Sequence, residues 1–446
     1  MLFLRVGSPT RSNNGRALLH VVVAVYGLTE IKVGSHMRIL LSEGSGLTSR
    51  QVAGRLGALG HEVEILSSTQ ICLTRFTRHV RAVHLVPHFG RDPFGWFDAA
   101  ARIAKERRAE LLFPTQEQVT VLSARRRRLG VATLVPPFAS LKRVQDKISA
   151  FRALQALGAP QPGTIVIASA DDLAQVKNFP AFVKRPVSTA SSGVVRVKGT
   201  DELAAAARDL GLGTNELIVQ TQVDGPLAMV QAVADRGRLI AHHACLRVRE
   251  GVGGGASLKE SVILPEIPSL LEKLVAALEW HGGLSMDVIV TSDGPVVIDV
   301  NPRLVEPANA LAAGVDLVAA MLDLCGKAPA PVQPGGRAGV RTHQTLIALL
   351  GAAEQQGKRG AVLREALDAM FSRGAYAGSN EELSPLGGDP IAAIPVAVAL
   401  AATLVRPALW KKFHTGAVGP YAVTSEAWRD IVAAADEEIS PLPTSL

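Results

Sequence analysis

The sequence predicts a chain that joins an α/β unit to an α+β unit, and the order of its segments carries this prediction. From Met37 onwards, strand-like and helix-like segments alternate, which is typical of a parallel sheet covered by helices. After Pro136-Pro137, strand-like segments outnumber helical ones, and hairpin signals such as Ser292-Asp293-Gly294 favour antiparallel pairing. With 446 residues, of which 48% are hydrophobic, the chain is long enough for two or three domains with buried cores.

The α/β unit begins with a strand at residues 38–42. The loop Gly44-Ser45-Gly46 leads into a helix that ends at Gly60, and a second strand follows at Glu62–Ser67. Residues 110–113 form a later strand of the same sheet. A glycine-containing loop after a first strand can hold phosphate, but a tight strand-to-helix turn explains it equally well.

Changes in composition divide the chain into four parts. We interpret residues 1–36 as an upstream extension with little ordered structure, because they differ from the rest and a strand follows Met37 at once. An N-terminal α/β domain is expected at residues 37–138 and the α+β domain at residues 139–330. A stretch rich in proline and glycine then leads to a mixed appendage, residues 331–446, whose role the sequence does not reveal.

Charge and cysteine content restrict the class of ligand and the compartment. The formal net charge of +7 suits acidic ligands such as nucleotides and small carboxylates. The largest basic run, residues 125–128, is not interleaved with aromatic residues, so we expect no nucleic-acid partner. Cys72, Cys245 and Cys325 lie far apart and form no CxxC pair, which disfavours a zinc site and favours a reducing, cytoplasmic environment.

Two apolar stretches are candidates for membrane segments, and both are too short. Residues 17–28 contain His20 and lack a convincing cleavage site after them. Residues 391–405 are shorter than a bilayer span and contain Pro395, so we expect a buried C-terminal helix there. We therefore expect no membrane partner.

The segment Val297-Ile298-Asp299-Val300-Asn301-Pro302-Arg303 is the most informative in the chain. Asp299 and Asn301 are two residues apart on a strand, so their oxygens point to the same face, and Mg²⁺ prefers oxygen ligands. Asp287 lies on the first strand of the predicted hairpin, and pairing of the two strands brings it beside Asp299. Two surface acids with an asparagine at the start of a turn are the ordinary alternative.

Two lysines are candidates for phosphate contacts. Lys184 lies in an otherwise apolar strand, where an ammonium group is costly unless it meets an anion, and small residues follow it at 188–194. Lys147 stands at the start of a helix, where the helix dipole does not favour a cation. The ordinary alternatives are an edge-strand lysine that extends to water and a solvent-exposed lysine.

Further charged residues flank these segments. Arg247 and Arg249 precede a glycine-rich loop at residues 251–255 and Lys259 follows it, which predicts either a cationic mouth over phosphates or a solvated hairpin tip. Glu306 follows the metal segment and is a candidate either for binding a substrate amine or for capping the next helix.

Together and in this order, these elements resemble the ATP-grasp superfamily, which includes carbamoyl phosphate synthetases, biotin carboxylases and D-alanine–D-alanine ligases. The resemblance covers about residues 140–330, and a preceding βαβ domain belongs to the same layout. It implies an ATP-grasp fold after a parallel-sheet N-terminal domain, with ATP and Mg²⁺ (or Mn²⁺) as cofactors.

The resemblance also implies roles for particular residues. Nucleotide contacts would come from two lysines, a mobile loop and a hinge segment: Lys147, Lys184, Ser191, Ser192, Gly193, Gln220 and Val223. The metal ligands would be Asp287, Asp299 and Asn301. Arg303 would face the phosphates or the carboxylate of the substrate and, with Lys184, would be catalytic.

Four positions depart from the patterns common in this superfamily. Gln220 stands where the hinge commonly has Glu, and Leu227 where an acidic residue often grips the ribose, although Asp224 is near. The Glu-x-Asn motif begins with Asp299, which is one methylene shorter than Glu. Ser285 replaces the basic residue that D-alanine ligases carry two positions before the first metal ligand. These differences argue against a D-alanine ligase proper.

The function that the resemblance implies is ATP- and Mg²⁺-dependent ligation of a small-molecule carboxylate to an amine through an acyl phosphate. The alternative enzyme is an ATP-grasp carboxylase or kinase-like enzyme that activates bicarbonate or a phosphate acceptor. The alternative outside enzymes is a nucleotide-binding module without turnover. A homodimer is compatible with each, and the sequence does not identify the acid, the nucleophile or the group that binds the ribose.

Overall fold

The structure is a computed structural model that describes residues 36–189, 193–383 and 388–439. The residues interpreted as an upstream extension lie outside these ranges, apart from His36. Within the described ranges the strands form one sheet of five, one of four and one of seven. The predicted combination of a parallel sheet with a largely antiparallel unit is confirmed.

The N-terminal unit contains a parallel sheet in the order β3–β2–β1–β4–β5. Its strands are β1 (Arg38–Leu41), β2 (Glu62–Ser67), β3 (Val80–Leu85), β4 (Leu111–Phe113) and β5 (Ala132–Thr133). The helices of this unit are α1 (Leu47–Ala58), α2 (Pro93–Arg107) and α3 (Val119–Ala124). The strand order reverses between β1 and β4, so the loops that follow these two strands line a common crevice.

The second unit begins with two helices and a four-stranded antiparallel sheet in the order β6–β9–β7–β8. The helices are α4 (Phe138–Gln145), α5 (Lys147–Ala156) and, packed on the sheet, α6 (Thr200–Asp209). The strands are β6 (Thr164–Ile167), β7 (Ala181–Lys184), β8 (Val194–Val197) and β9 (Leu217–Thr221). Leu203, Ala206 and Ala207 of α6 are buried with Val183 and Val219 of the sheet, which fixes one sheet face as core.

The largest sheet has the order β14–β13–β10–β11–β12–β15–β16 and is antiparallel except for its last pair. Its strands are β10 (Leu227–Asp235), β11 (Arg238–Glu250), β12 (Ala256–Ser261), β13 (Gly282–Thr291), β14 (Gly294–Asn301), β15 (Arg341–His343) and β16 (Asn380–Glu381). Helices α7 (Ile267–Ala277), α8 (Ala308–Ala313) and α9 (Leu317–Asp323) accompany it. One face packs Ala228, Val230 and Ala232 with Leu271 and Leu274 of α7. Met229 and Gln231 alternate with these residues and therefore belong to the other face.

The region proposed as an appendage supplies β15 and β16 to the largest sheet and five further helices. These are α10 (Thr345–Gln356), α11 (Arg359–Met370), α12 (Ala393–Val405), α13 (Trp410–Val418) and α14 (Ser425–Ile439). Helix α14 returns to the N-terminal unit, where Trp428 and Ile431 share a core with Trp96 and Leu122. The ring of Trp428 also lies 5.9 Å from that of Phe138, at the start of α4. Short 3₁₀ helices lie at Leu73–Arg75, Arg126–Arg128, Ala170–Gln175, Val252–Gly254, Gly374–Tyr376, Pro390–Ala392 and Pro407–Leu409.

The apolar stretch at residues 391–405 is helical, as predicted, but the prediction of a buried helix is wrong for one of its faces. Val396, Ala399 and Thr403 are buried, whereas Ile394, Val398 and Val405 are exposed. Pro395 is the third residue of α12, where it removes no hydrogen bond because the first N–H groups of a helix have no partner within the helix. Among the described residues, none of the helices combines the length and the apolar character needed to cross a bilayer.

Candidate functional site

A narrow cleft lies between the four-stranded sheet and strand β14, with α5 along one side. Among the residues that line it are Lys147, Lys184, Gln220 and Asp299, which come from four different elements. The fold therefore brings together four side chains that the sequence singled out. Apolar side chains such as Phe151 and Ile218 complete the walls, so the charged groups lie in a region with little water.

The β13–β14 hairpin has the register that the sequence predicts. Asp287 pairs with Asp299, and Ser285 pairs with Asn301. Directly paired residues of an antiparallel sheet have side chains on the same face, so three oxygen-bearing candidates and the hydroxyl of Ser285 share one surface. A register shift follows Asp287, and it leaves both of these pairs in register on the same face.

The two aspartates differ in their surroundings. Burial raises the pKa of Asp287 to about 6, and repulsion from Asp299 adds to this shift. Asp299 is partly exposed, and its Oδ1 lies 3.2 Å from Nζ of Lys147. The protein environment therefore compensates the negative charge of Asp287 only in part, so this carboxylate is suited to binding a cation.

Lys184 carries a positive charge that the protein also compensates only in part. Its ammonium group donates to Oε1 of Gln220 at 2.5 Å and to the carbonyl oxygen of Ile298 at 3.2 Å. Both acceptors are neutral, and burial lowers the pKa of Lys184 to about 8, against the opposing influence of Asp299. The alternative of an edge-strand lysine that reaches water does not hold, because only 8% of the residue is exposed and β7 lies inside the sheet.

The start of helix α5 is fixed from both sides, which positions Lys147. The side chain of Asp146 caps the helix by accepting from the amide of Ser149 at 2.8 Å. The amide of Lys147 donates to the carbonyl oxygen of Pro186, just after β7, at 2.9 Å. Lys147 and Lys184 are therefore held at the same end of the cleft. The fold also brings Lys184 to Gln220, which is 36 residues away in the sequence.

The remaining nucleotide-contact candidates are placed less completely. Ser191 and Ser192 lie outside the described residues. Gly193 has a φ of 78°, which favours glycine, and its carbonyl oxygen accepts from the amide of Arg185 at 2.9 Å. Val223 follows β9, past the end of the strand that carries Gln220.

The donor set on the hairpin fits a divalent cation that prefers oxygen. Asp287, Asp299 and Asn301 offer two carboxylates and one amide oxygen, a combination typical of Mg²⁺ or Mn²⁺ rather than zinc. In the described part of the chain, no group of three His, Cys, Asp or Glu side chains could hold a metal ion. A cation at this hairpin would therefore need Asn301 as its third protein ligand.

A second group of polar side chains lies where the N-terminal crevice meets the end of β14; we refer to it as the polar chamber. Arg303 donates through Nε and Nη2 to Oε1 of Glu117, at 3.2 and 3.1 Å, and Gln145 donates to the other oxygen of Glu117. Glu117 and Gln116 follow strand β4, and both are almost fully buried. The side-chain oxygen of Gln116 is buried without a hydrogen-bond partner, which marks it as a group able to meet a ligand.

Tyr421, from the C-terminal region, closes this chamber. A Cβ at Gly46 would lie 2.3 Å from Nε2 of Gln116 and 3.4 Å from Cε1 of Tyr421, so the loop, the amide and the ring are in contact range. Burial raises the pKa of Tyr421, and the charges of Arg303, Glu43 and Glu117 act on it. The chamber therefore combines residues from all three regions of the chain.

The loop Gly44-Ser45-Gly46 is a tight turn rather than an open phosphate cradle. The carboxylate of Glu43 accepts from the amides of Ser45 at 2.5 Å and Gly46 at 2.8 Å. Those N–H groups are the ones that would otherwise meet a phosphate. Glu43 is a further acidic group at the chamber, and burial raises its pKa.

The predicted cationic mouth at the glycine-rich loop is wrong for two of its three residues. Arg249 forms a bidentate pair with Glu365 at 2.8 Å. Lys259 is fully buried between Glu306 and Glu382, at 2.6 and 2.7 Å. Glu306 therefore binds a lysine of its own chain, and its side chain keeps limited exposure toward the chamber.

Sequence reasoning missed Glu43, Gln116, Glu117 and Tyr421. The first three follow strands β1 and β4 directly, and binding residues of parallel sheets are found at such carboxyl ends. That rule could have selected them from the sequence. No sequence signal singles out Tyr421, because its position depends on the return of the C-terminal helices to the N-terminal unit.

Comparisons with known proteins agree with this geometry. A family model described as the ATP-grasp domain matches residues 144–307. The large chain of carbamoyl phosphate synthase from Methanospirillum hungatei is 24% identical over 238 residues, covering 46% of this chain and 22% of that protein. D-alanine–D-alanine ligase B from Pseudomonas putida is 33% identical over 84 residues, covering 18% of this chain and 26% of that protein. The chain thus spans about a quarter of the length of these curated relatives.

A solved structure extends the likeness to the fold. The biotin carboxylase domain of 2-oxoglutarate carboxylase from Hydrogenobacter thermophilus, in complex with MgADP, ADP and bicarbonate, matches with a TM-score of 0.56 at 16% identity. The match covers 69% of this chain and 74% of that chain. This likeness shows that the chain has the fold of that carboxylase domain. Residues 144–307 are the part that matches the ATP-grasp domain.

Proposed function

We propose that the chain is an ATP-dependent ligase that activates a small carboxylate as an acyl phosphate and joins it to an amine. The observation that carries this proposal is that the cleft and the polar chamber are adjacent. Incompletely compensated charges of both signs, on Lys184 and Asp287, lie at the cleft. The polar chamber with Arg303 begins two residues beyond Asn301.

The lysines of the cleft are suited to the phosphates of ATP. Lys184 has only neutral acceptors, so a phosphate oxygen would replace a weak partner with an anionic one and would restore its ordinary pKa. Lys147 is already shared with Asp299 and would bridge the hairpin and the nucleotide. Magnesium held by Asp287, Asp299 and Asn301 would neutralise phosphate charge during transfer.

Arg303 is the proposed group for the carboxylate of the substrate. Its guanidinium lies flat against one oxygen of Glu117, which orients it and keeps 90% of its side chain away from solvent. A planar guanidinium binds a carboxylate through two parallel hydrogen bonds, which would hold the attacking oxygen in place. In this arrangement the protein positions the reactants and stabilises charge; the amine then attacks the acyl carbon of the acyl phosphate, and inorganic phosphate leaves.

The carboxylates of the chamber support an amine as the second substrate. Glu43, Glu117 and Glu306 lie near Tyr421, with Arg303 as the cation among them. Arg303 can hold the carboxylate of the first substrate, whereas an ammonium group would be attracted to the acidic groups and could lose its proton to one of them before attack. This balance supports the ligase over the carboxylase-like alternative.

A screen for ADP release tests the proposal. Pairs of small carboxylic acids and amines are supplied with MgATP, and both the nucleotide product and the mass of the organic product are measured. We expect ADP formation that requires an acid, together with a product whose mass is that of acid plus amine less water. ATP consumption that depends on bicarbonate alone, or nucleotide binding without turnover across the screen, would replace the ligase by one of the alternatives.

A further inference from the structure

Helices α11 and α12 both expose large apolar side chains that the proposed function does not use. Arg359, the first residue of α11, donates to the carbonyl oxygen of Val405, the last residue of α12, at 2.8 Å, so the helices pack side by side. Seven large apolar side chains on or beside them are exposed; we call them the α11–α12 face: Leu363, Leu367, Phe371, Ile391, Ile394, Val398 and Val405. The exposed fraction reaches 55% for Phe371 and 71% for Val405.

The composition of α12 makes this exposure unusual. Its 13 residues include no charged side chain. Thr403 is its one polar side chain, and that hydroxyl is buried and donates to the carbonyl oxygen of Ala399. A helix that is apolar all round is normally covered all round. On soluble monomers, large exposed apolar patches usually mark sites of interaction.

The exposed charges of the segments that form this face are positive. In the described part of residues 358–412, every exposed charged side chain is basic: Lys358, Arg359, Arg364, Arg373, Arg406, Lys411 and Lys412. The acidic residues of the same segment are buried or partly buried, and Glu365 and Asp389 are paired with Arg249 and Arg50. The guanidinium of Arg373 lies 5.1 Å from the ring of Phe371, which places a cation at the edge of the apolar area.

This charge pattern selects the kind of partner. A second copy of the chain would bring two sets of seven cations together around the apolar contact, which opposes association. A specific protein partner needs hydrogen-bonding groups in the interface, and the exposed side of α12 offers none from its side chains. A lipid surface requires only apolar side chains that enter the acyl boundary and cations that meet anionic headgroups.

We propose that the α11–α12 face binds an anionic membrane surface, with the apolar side chains inserted at the headgroup boundary and the surrounding cations on the lipid phosphates. In this mode the α11–α12 face lies at the surface of the bilayer. The sequence analysis expected no membrane partner because both apolar stretches are too short to span a bilayer, and binding at the surface needs no span. The nucleotide cleft is built from other elements, so the proposal stands independently of the ligase function.

Vesicle flotation tests this proposal with the full chain. Vesicles of phosphatidylcholine with about one third phosphatidylglycerol are compared with vesicles of phosphatidylcholine alone. We expect the protein to float with the anionic vesicles only, and to be released when salt shortens the Debye length from about 10 Å to about 3 Å. Ile394→Asp and, separately, Val398→Asp should each lower the bound fraction at least about ten-fold, because both insert an anion into the apolar area.

Variants of two cations, together with a control variant outside the face, test whether binding depends on this face. Arg364→Gln and Arg406→Gln should each weaken binding about five-fold, as expected for one cation near an anionic surface. Ile71→Asp is the control, because Ile71 is also exposed but lies in the N-terminal unit. Circular dichroism checks that each variant is folded. If one of the two aspartate variants does not fold, the other still tests the proposal. Equal flotation with both kinds of vesicle, no flotation at all, equal loss with Ile71→Asp, or a dimer in sedimentation that Ile394→Asp dissociates would overturn the proposal.

Discussion

Two buried lysines of this protein, Lys184 and Lys259, have opposite environments. Lys259 lies between the carboxylates of Glu306 and Glu382, at 2.6 and 2.7 Å, and their charges raise its pKa despite complete burial. Lys184 is almost as deeply buried, but its acceptors are an amide oxygen and a carbonyl oxygen, and its pKa falls to about 8.

The difference separates structural charge from charge prepared for a ligand. Lys259 has its counterions within the fold, where it joins β12 to the loop after β14 and to the C-terminal segment. Lys184 has an incomplete complement of charge, which costs stability that an anionic ligand can recover. Four predictions test this distinction, beginning with the metal candidates of the same cleft.

Removal of the metal candidates should have the largest effect. We expect Asp299→Ala and Asn301→Ala each to lower ATP turnover at least about a thousand-fold, because water cannot replace fixed oxygen ligands between phosphates. Turnover is measured as ADP release at saturating acid and amine. Asp293→Ala, at the exposed turn of the same hairpin, is the control and should retain activity. Retained turnover in both site variants would remove the metal assignment.

Lys259→Met should destabilise the fold and leave the cleft intact. Loss of the ammonium leaves Glu306 and Glu382 buried without a counterion, which costs about 3–5 kcal/mol of unfolding free energy. Urea denaturation measures the loss. The double variant with Glu382→Gln should recover part of it, because one of the two carboxylates is then neutral. If Lys259→Met were as stable as the parent protein, the charges around Lys259 would not be coupled as the structure indicates.

Lys184→Met should show the reverse pattern. Nucleotide affinity should fall about ten- to a hundred-fold, since one charge-assisted hydrogen bond contributes about 1.5–3 kcal/mol. Without nucleotide, the unfolding free energy should stay the same or rise, because methionine replaces a buried and poorly compensated charge. Isothermal titration with ATP measures the affinity, with Lys198→Met, an exposed lysine after β8, as the control. Unchanged affinity in Lys184→Met would make this lysine an ordinary structural residue.

The lowered pKa of Lys184 predicts a weaker effect of pH. Above about pH 8 the free protein loses the proton of this ammonium, and nucleotide binding must then restore it. ATP affinity should therefore fall by up to about ten-fold per pH unit above that value, and Lys184→Met should remove this dependence. The same shift has the opposite sign for the stability of the free protein. The unfolded chain keeps the proton up to its usual pKa of 10.5, so stability from this group rises with pH between about 8 and 10.5.

The parts of the fold that could be predicted from the sequence are those determined by residues close together in the chain. The Asp293-Gly294 turn and the alternation along both strands determine the hairpin, so the pairing of Asp287 with Asp299 could be predicted and is confirmed. Strands β15 and β16 could not be predicted, because segments of three and two residues carry no period. They join the sheet because β12 offers an edge.

The chamber and the exposed side of α12 show why the rest was beyond sequence reasoning. Glu117 meets Arg303 across 186 residues, and only the topology of two sheets brings them together. The apolar run at residues 391–405 predicts a helix, but a run without polar residues does not indicate which side meets the core. Burial of Val396 and exposure of Val398 follow from the packing of α10 and α11 against one side only.

The central claim is that the cleft and the chamber together convert a carboxylate to an acyl phosphate, and transfer of isotopic oxygen tests it most directly. The substrate carboxylate is labelled with oxygen-18, and the phosphate released during ligation is analysed by mass spectrometry. If the carboxylate attacks the terminal phosphate, its oxygen becomes the bridge of the intermediate and leaves with phosphate. We expect ADP as the nucleotide product and one labelled oxygen in each phosphate released. AMP as the product, or unlabelled phosphate while the ligated product forms, would contradict it.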